Sequence, residues 1–272
     1  MSTTLTDAVR AGDEAECKRL LLELEDIDIH ERDEDKGRSA IIWASFSGHV
    51  EIVKLLLSNG ANINDKRTNN GASALMTASQ NGHVKVVELL LSNGSNVNDK
   101  TTDYGFSSLF IASHSGHVKV VELLLANGAN IHDKTTDYGA SALFIASQNG
   151  LVKVVELLLS NGANIHDKTT DNGTSSLFMA SQNGHVEVVM LLLSNGAIVN
   201  DLSNYGDTAI SVSNSDKITY ILRKWPITMV ILIFKELGIY LTVTDAITLM
   251  DLYQFMGKED CTVDNEEDYN FD

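Results

Sequence analysis

The sequence predicts an all-α solenoid: stacked helix-turn-helix units with projecting hairpin loops, plus a C-terminal helical hairpin. Three observations predict it. Gly48-His49 returns as Gly82-His83, Gly116-His117, Gly150-Leu151 and Gly184-His185, each step 34 residues long. Around these markers the chain nearly copies itself, as in GASALMTASQNGHVKVVELLLSNG and GASALFIASQNGLVKVVELLLSNG. Within each copy the apolar residues follow helical spacing, and one unit alone could not bury them.

Each unit reads as two helices and a loop. In the unit that begins at Gly71, Ser73 caps a first short helix, its hydroxyl accepting from an otherwise unpaired backbone N–H. Asn81-Gly82 ends that helix, since glycine tolerates a left-handed position after the last turn. A second helix runs from Val84 to Leu91. Its apolar residues Val84, Val86, Val87, Leu89, Leu90 and Leu91 form a stripe broad enough to require burial on most sides. Asn93-Gly94 closes it, and the polar stretch up to Tyr104 projects as a loop or short hairpin.

On this pattern residues 37–205 hold five repeats, at 37–70, 71–104, 105–138, 139–172 and 173–205. Residues 1–36 keep the spacing in Leu5, Ala8, Val9, Gly12, Cys17, Leu20 and Leu21 but are far more charged, as a solvated N-terminal capping repeat should be. Residues 206–226 keep Gly206 and Thr208 and lose the Gly-His marker, which makes them a degenerate terminal repeat. Residues 227–256 break the period and read as a helical hairpin covering the end of the stack. Residues 257–272 are acidic and read as a disordered tail.

Hydrophobic residues make up 43% of the 272 and charged residues 21%, enough apolar content for a sizeable core. The net charge of −17 is concentrated at the ends: −7 in residues 1–36 and −6 in residues 257–272. An acidic chain without a basic stripe is a poor match for nucleic acid or an anionic membrane. Cys17 and Cys261 are the two cysteines, no C-x-x-C is present, and the pattern suits a reducing compartment, the cytoplasm or the nucleus. The N-terminus has no basic start followed by an apolar run, so no signal peptide is read. The apolar stretch near residues 225–234 is broken by Lys235 and Glu236, too short for a membrane span. The expected state is a monomer.

No catalytic motif is present: G-x-x-x-x-G-K-[ST], G-x-G-x-x-G, H-E-x-x-H and G-x-S-x-G are all missing. His49, His83, His117 and His185 recur once per repeat, so stacking sets neighbours about 8–10 Å apart, too far to share one zinc. They read as structural residues bonded to nearby backbone. Asp65, Asp99, Asp133, Asp167 and Asp201 form a second ladder, and the following Lys66, Lys100, Lys134 and Lys168 neutralise it in the stack. No catalytic residue, cofactor site or metal site is assigned.

These residues resemble the ankyrin-repeat family. Its unit begins Gly-x-Thr-Pro-Leu-His, continues to Ala-Ala-x-x-Gly-His and ends in Leu-Leu-Leu and Gly-Ala. Here Gly139-x-Ser141-Ala142-Leu143-Phe144, Ala146-Ser147-x-x-Gly150 and Val152 to Leu159 before Gly162-Ala163 match it, and the resemblance covers roughly residues 3–226. Ala or Ser replaces the proline, and an apolar side chain replaces the first His and substitutes for it by packing. The unit is one residue longer than the family's usual 33, with the addition in the loop DKTTDYG. The resemblance implies a protein-binding module or scaffold whose concave face is built from loop tips and the ends of the first helices. Carried over by position, that face comprises Phe46, Asn70, Gln80, Asp103, Tyr104, Phe106, His114, Asp137, Tyr138, Gln148, Asn149, Asn172, Gln182, Asn183 and Tyr205. Tyr104, Phe106, His114 and Tyr138 form its expected centre, because exposed aromatics anchor interfaces. As an alternative, Trp225-Pro226 followed by ILIFKEL and TDAITLMDLYQFM is similar to an F-box, which implies a substrate adaptor for a ubiquitin ligase.

Overall fold

The computed structural model describes residues 4–23, 28–33 and 36–225. Two compact units divide the chain, Met1–Ile218 and Thr219–Asp272; of the second, residues 219–225 are described and are helical. The expected hairpin at 227–256, with its F-box-like segment, and the acidic tail at 257–272 lie outside the described residues.

The first unit is built from helix pairs. They are α1 (Leu5–Ala11) with α2 (Glu14–Glu23), α3 (Ala40–Ser47) with α4 (Val50–Ser58), and α5 (Ala74–Gln80) with α6 (Val84–Ser92). There follow α7 (Ser108–Ser115) with α8 (Val118–Ala126), α9 (Ala142–Gln148) with α10 (Val152–Ser160), and α11 (Ser176–Gln182) with α12 (Val186–Ser194). A further helix covers residues 216–225, and no strand occurs among the described residues. The first helices of all pairs pack on one another in one row and the second helices in another, so the fold is a two-layer stack.

Serine starts the first helices. Ser73, Ser107, Ser141 and Ser175 each lie in extended backbone and accept from the N–H three residues on, at 3.2–3.3 Å. Three residues after each serine stand Met76, Phe110, Phe144 and Phe178, all buried, and the Met76 sulfur also accepts from the Ser73 N–H at 3.5 Å. The lengthened loops remain short hairpins. Antiparallel bridges join Lys66 to Ser73, Lys100 to Ser107, Lys134 to Ser141 and Lys168 to Ser175.

Burial supplies most of the cohesion. Leu56, Leu90, Leu124, Leu158 and Leu192 hold one position in successive second helices and are fully buried, each worth about 1.5–3 kcal/mol over exposure. The buried Cys17 thiol belongs to the same core; burial first, then Asp13, Glu16 and Glu14, push it up to about 11. It is held as the neutral thiol, the opposite of what a nucleophile needs.

Polar bonds fix the register between neighbours. His83 Nε2 bonds to the Phe46 carbonyl (2.9 Å), His117 to Gln80 (3.0 Å) and His185 to Gln148 (2.9 Å). Three of the four expected histidines, His83, His117 and His185, are thus held by the backbone of the preceding repeat, while the His49 ring lies over Gly12. Asn81, Asn149 and Asn183 donate side-chain N–H to the carbonyls of Phe46, His114 and Gln148. Lys66, Lys100 and Lys134 pair with Asp99, Asp133 and Asp167 of the next repeat at 2.9–3.0 Å, and Arg32–Asp65 and Lys168–Asp201 extend the same ladder. At the loops, the N–H groups of Thr102, Thr136, Thr170 and Asn204 donate to the carbonyls of Asn70, Tyr104, Tyr138 and Asn172 at 2.8–2.9 Å.

The last pattern element departs from the others. After α12 the expected first helix is reduced to turns at residues 209–212, where Thr208 and Ser211 cap each other's backbone N–H.

Gly82 shows why the Gly-His marker is paired. Its φ is 70°, and an added Cβ would stand 2.6 Å from the His117 ring; at Gly94, with φ 85°, nothing lies within 4 Å. Gly94→Ala should therefore cost only the left-handed backbone strain, about 1–2 kcal/mol. Gly82→Ala should cost at least about 1 kcal/mol more, from a displaced ring and its lost bond. Urea unfolding of the two variants checks this, and equal losses would contradict it.

Candidate functional site

The hairpin and first helix of the 105–138 repeat, with the preceding loop tip, carry a row of aromatic rings. Tyr104, half exposed at 50%, stacks on Phe106 with ring centroids 5.4 Å apart. Phe106 stacks in turn on Phe110 at 4.8 Å. Phe110 belongs to a buried cluster with Ala140, Phe144 and Ile145, against which Phe106, Tyr138 and Met179 pack. The row arises because Phe106 follows a loop glycine, Gly105, and so stands at the base of the hairpin, where it reaches both the tip and the helix.

Beyond Tyr138 the row opens into a groove of about 510 Å³. Tyr138, Phe144, Gln148 and Thr169 line it from one side of the sequence, Phe178, Met179 and Gln182 from α11, and Tyr205, Asp207 and Val212 from the segment after α12. Asp171, Asn172, Thr174 and Ser203 complete the lining. The lining is mixed, with Phe144, Phe178, Met179 and Val212 set among amide, hydroxyl and carboxylate side chains. Tyr205 is 76% exposed at the edge of the groove.

The loop carboxylates organise the tips. Asp103 and Asp137 accept from the backbone N–H of Tyr104 and Tyr138, both at 2.7 Å. The Thr101 hydroxyl and that Tyr104 N–H hold the Asp103 carboxyl below its ordinary range. Around Tyr138, burial first and then Asp137 and Asp171 push the phenol above its ordinary value.

Of the residues expected on this face, the groove brings together Tyr138, Gln148, Asn172, Gln182 and Tyr205. Tyr104 and Phe106 sit in the aromatic row, while Gln80 and His114 are exposed near the ends of α5 and α7. Phe46 stands apart, edge-on to Trp43 at 5.7 Å. Asn149 and Asn183 use their amides to bond the preceding repeat, and Asn70 accepts from Ala72 N–H, so these three hold the scaffold of the face. Sequence reasoning missed Phe144, Phe178, Met179, Val212 and Asp207. The two phenylalanines follow the core pattern, and only the gap between successive repeats shows one edge of each to the groove.

Among the described residues no group of three His, Cys, Asp or Glu side chains is placed to hold a metal, and no helix is long and apolar enough to cross a membrane.

The site's electrostatics predict an outcome. A spectrophotometric titration of the chain minus that of Tyr138→Phe should report one phenol with a midpoint above 10. Because the folded-state value is raised, the neutral phenol's contribution is present below pH 10 and is lost as pH rises through the folded value. A difference midpoint at or below 10 would contradict the arrangement.

Residues 5–101, 98–169 and 143–224 match the family model described as ankyrin repeats (3 copies). The chain matches no curated protein. Among solved structures it is similar to the ankyrin repeat domain of Bcl-3, described as a unique member of the IkappaB protein family. That likeness has a TM-score of 0.70 at 25% identity and covers 82% of this chain and 98% of that one. It is also similar to the human ASB11 ankyrin repeat domain, with a TM-score of 0.72 at 26% identity over 81% of this chain and 97% of that one. No enzymatic family is indicated, and ankyrin repeats are protein–protein interaction modules. The helix pairs, hairpin loops and family match agree: the chain belongs to the ankyrin-repeat family.

Proposed function

We propose that the chain is a non-catalytic binding module or scaffold, which takes a partner protein on the face made by its loop tips and first helices. The observation that carries this reading is the groove from Tyr138 to Tyr205, continued by the Tyr104–Phe106–Phe110 row. Exposed tyrosines beside a mixed apolar and polar lining supply large contact area at small entropic cost, which is what interface anchors share. Of the remaining residues of the expected site, Gln80, Asp103, His114 and Asp137 form the polar surround of that centre, Asn70, Asn149 and Asn183 hold its scaffold, and Phe46 lies apart beside Trp43. The reading takes the chain as a monomer in the cytoplasm or the nucleus, and the free, buried Cys17 suits such a reducing compartment. The ligase-adaptor alternative rests on residues 227–256, and no described residue favours it.

Affinity capture from a cell lysate tests the reading, with the full chain beside Tyr138→Ala/Tyr205→Ala and a Met190→Ala control on α12. Circular dichroism verifies that all three stay helical. A partner bound by the chain and by the control should be weakened about 30-fold or more by the double variant, the loss expected of an anchor pair. Equal capture by the double variant would move the binding surface elsewhere.

A further inference from the structure

The charge of the groove has one sign. Asp171 and Asp207 line it, both exposed, and no Lys, Arg or His does. The ladder aspartates Asp167 and Asp201 are each paired with a lysine of the preceding repeat, Lys134 and Lys168. Neither Asp171 nor Asp207 has such a partner among the described residues. Asp171 Oδ2 accepts from the Asn172 amide at 2.9 Å, and Asp207 Oδ1 from the Ser211 hydroxyl at 3.5 Å.

Both acids depart from the repeat. Asp103 and Asp137 hold the column of Asp171, and each uses an oxygen to fix the N–H of the tyrosine that follows. Asp171 holds a side-chain amide instead. Asp207 stands where earlier copies carry Ala72, Phe106, Ala140 and Thr174. Backbone bonds order the loop tips around them. Thr170 N–H donates to the Tyr138 carbonyl and Asn204 N–H to the Asn172 carbonyl, both at 2.8 Å. Three tips are thus stitched side by side, and the tip with Asp171 lies between those with Tyr138 and Tyr205.

We infer that the groove takes an arginine side chain of a basic partner segment, its guanidinium at the Asp171 carboxylate between Tyr138 and Tyr205. This rests on the reading of the groove as the binding surface and names its occupant. A guanidinium fork matches a carboxylate, and it is drawn to tyrosine rings more readily than a strongly hydrated ammonium. The methylenes of arginine suit the apolar part of the lining, Phe178 and Met179, while the charged head suits the rest. Asp207 adds a second negative charge to the same lining. A phosphate-bearing partner would meet two carboxylates there and no cation.

Selection from a phage-displayed library of random peptides on the full chain tests this. Enriched sequences should share an arginine. In the synthetic form of the most enriched peptide, Ala at that position should weaken binding about tenfold or more, and Lys should weaken it less. That comparison leaves the protein untouched. Asp171→Asn, which keeps the shape of the side chain, should weaken the parent peptide about tenfold. Glu187→Gln removes the same charge from the exposed first turn of α12 and should change nothing. The inference is overturned if no peptide is enriched, if the arginine can be replaced by Ala without loss, or if Asp171→Asn binds as the parent chain does. An equal loss in Glu187→Gln also overturns it, since attraction to the acidic chain as a whole would then suffice. Arginine-free peptides that fail to bind Tyr138→Ala/Tyr205→Ala would sink this inference and leave the groove reading standing. Arginine peptides that bind the double variant at full strength would sink both.

Discussion

The carbonyls of Phe46, Gln80, His114 and Gln148 end the first helices of four successive repeats, and each is satisfied by a side chain of the next repeat. Each such bond contributes about 0.5–1.5 kcal/mol, so a repeat is incomplete without its neighbour. Apolar burial, as of Leu90 and Leu124, supplies most of the energy of stacking but is indifferent to small slides between helices. The histidine and asparagine bonds are directional. They set the stagger of one repeat on the next, and the Lys–Asp ladder and loop backbone bonds keep the same stagger at the other edge of the unit. Partly exposed ion pairs of that kind are individually weak, so they follow the register more than they impose it.

The site depends on that stagger. Tyr138, Phe144 and Phe178 come from three successive copies, and the groove between them exists only because the copies are offset by a set amount. The marker pair Gly-His serves the same end from both sides. Glycine leaves room over its Cα, and the ring of the following repeat fills it, as the distance from Gly48 to His83 shows. Function is thus an outcome of spacing between units whose sequences are nearly the same.

Much of this was open to sequence reasoning because it is local or periodic. The serine caps, the glycine stops, the hairpin loops and the charge ladders each follow from residues a few positions apart or one repeat apart. What stayed hidden depends on the gap between repeats. Phe144 and Phe178 carry the pattern of core residues, and nothing in one unit tells that an edge of each lines a groove. The reduction of the last first helix to turns at 209–212 follows from Asp207, Thr208, Ser211 and Ser213, which bond locally and compete with a helix.

The stack contains its own test. Leu151 occupies the histidine position and packs over Gly116, so the His114 carbonyl receives the Asn149 amide alone, whereas Phe46 and Gln148 receive both groups. If directional bonds between repeats hold the register, Leu151→His should supply the missing one and raise the stability in equilibrium urea unfolding by about 1 kcal/mol. Stability unchanged or lowered in that variant would contradict the account, and would mean that apolar contact alone sets the stack.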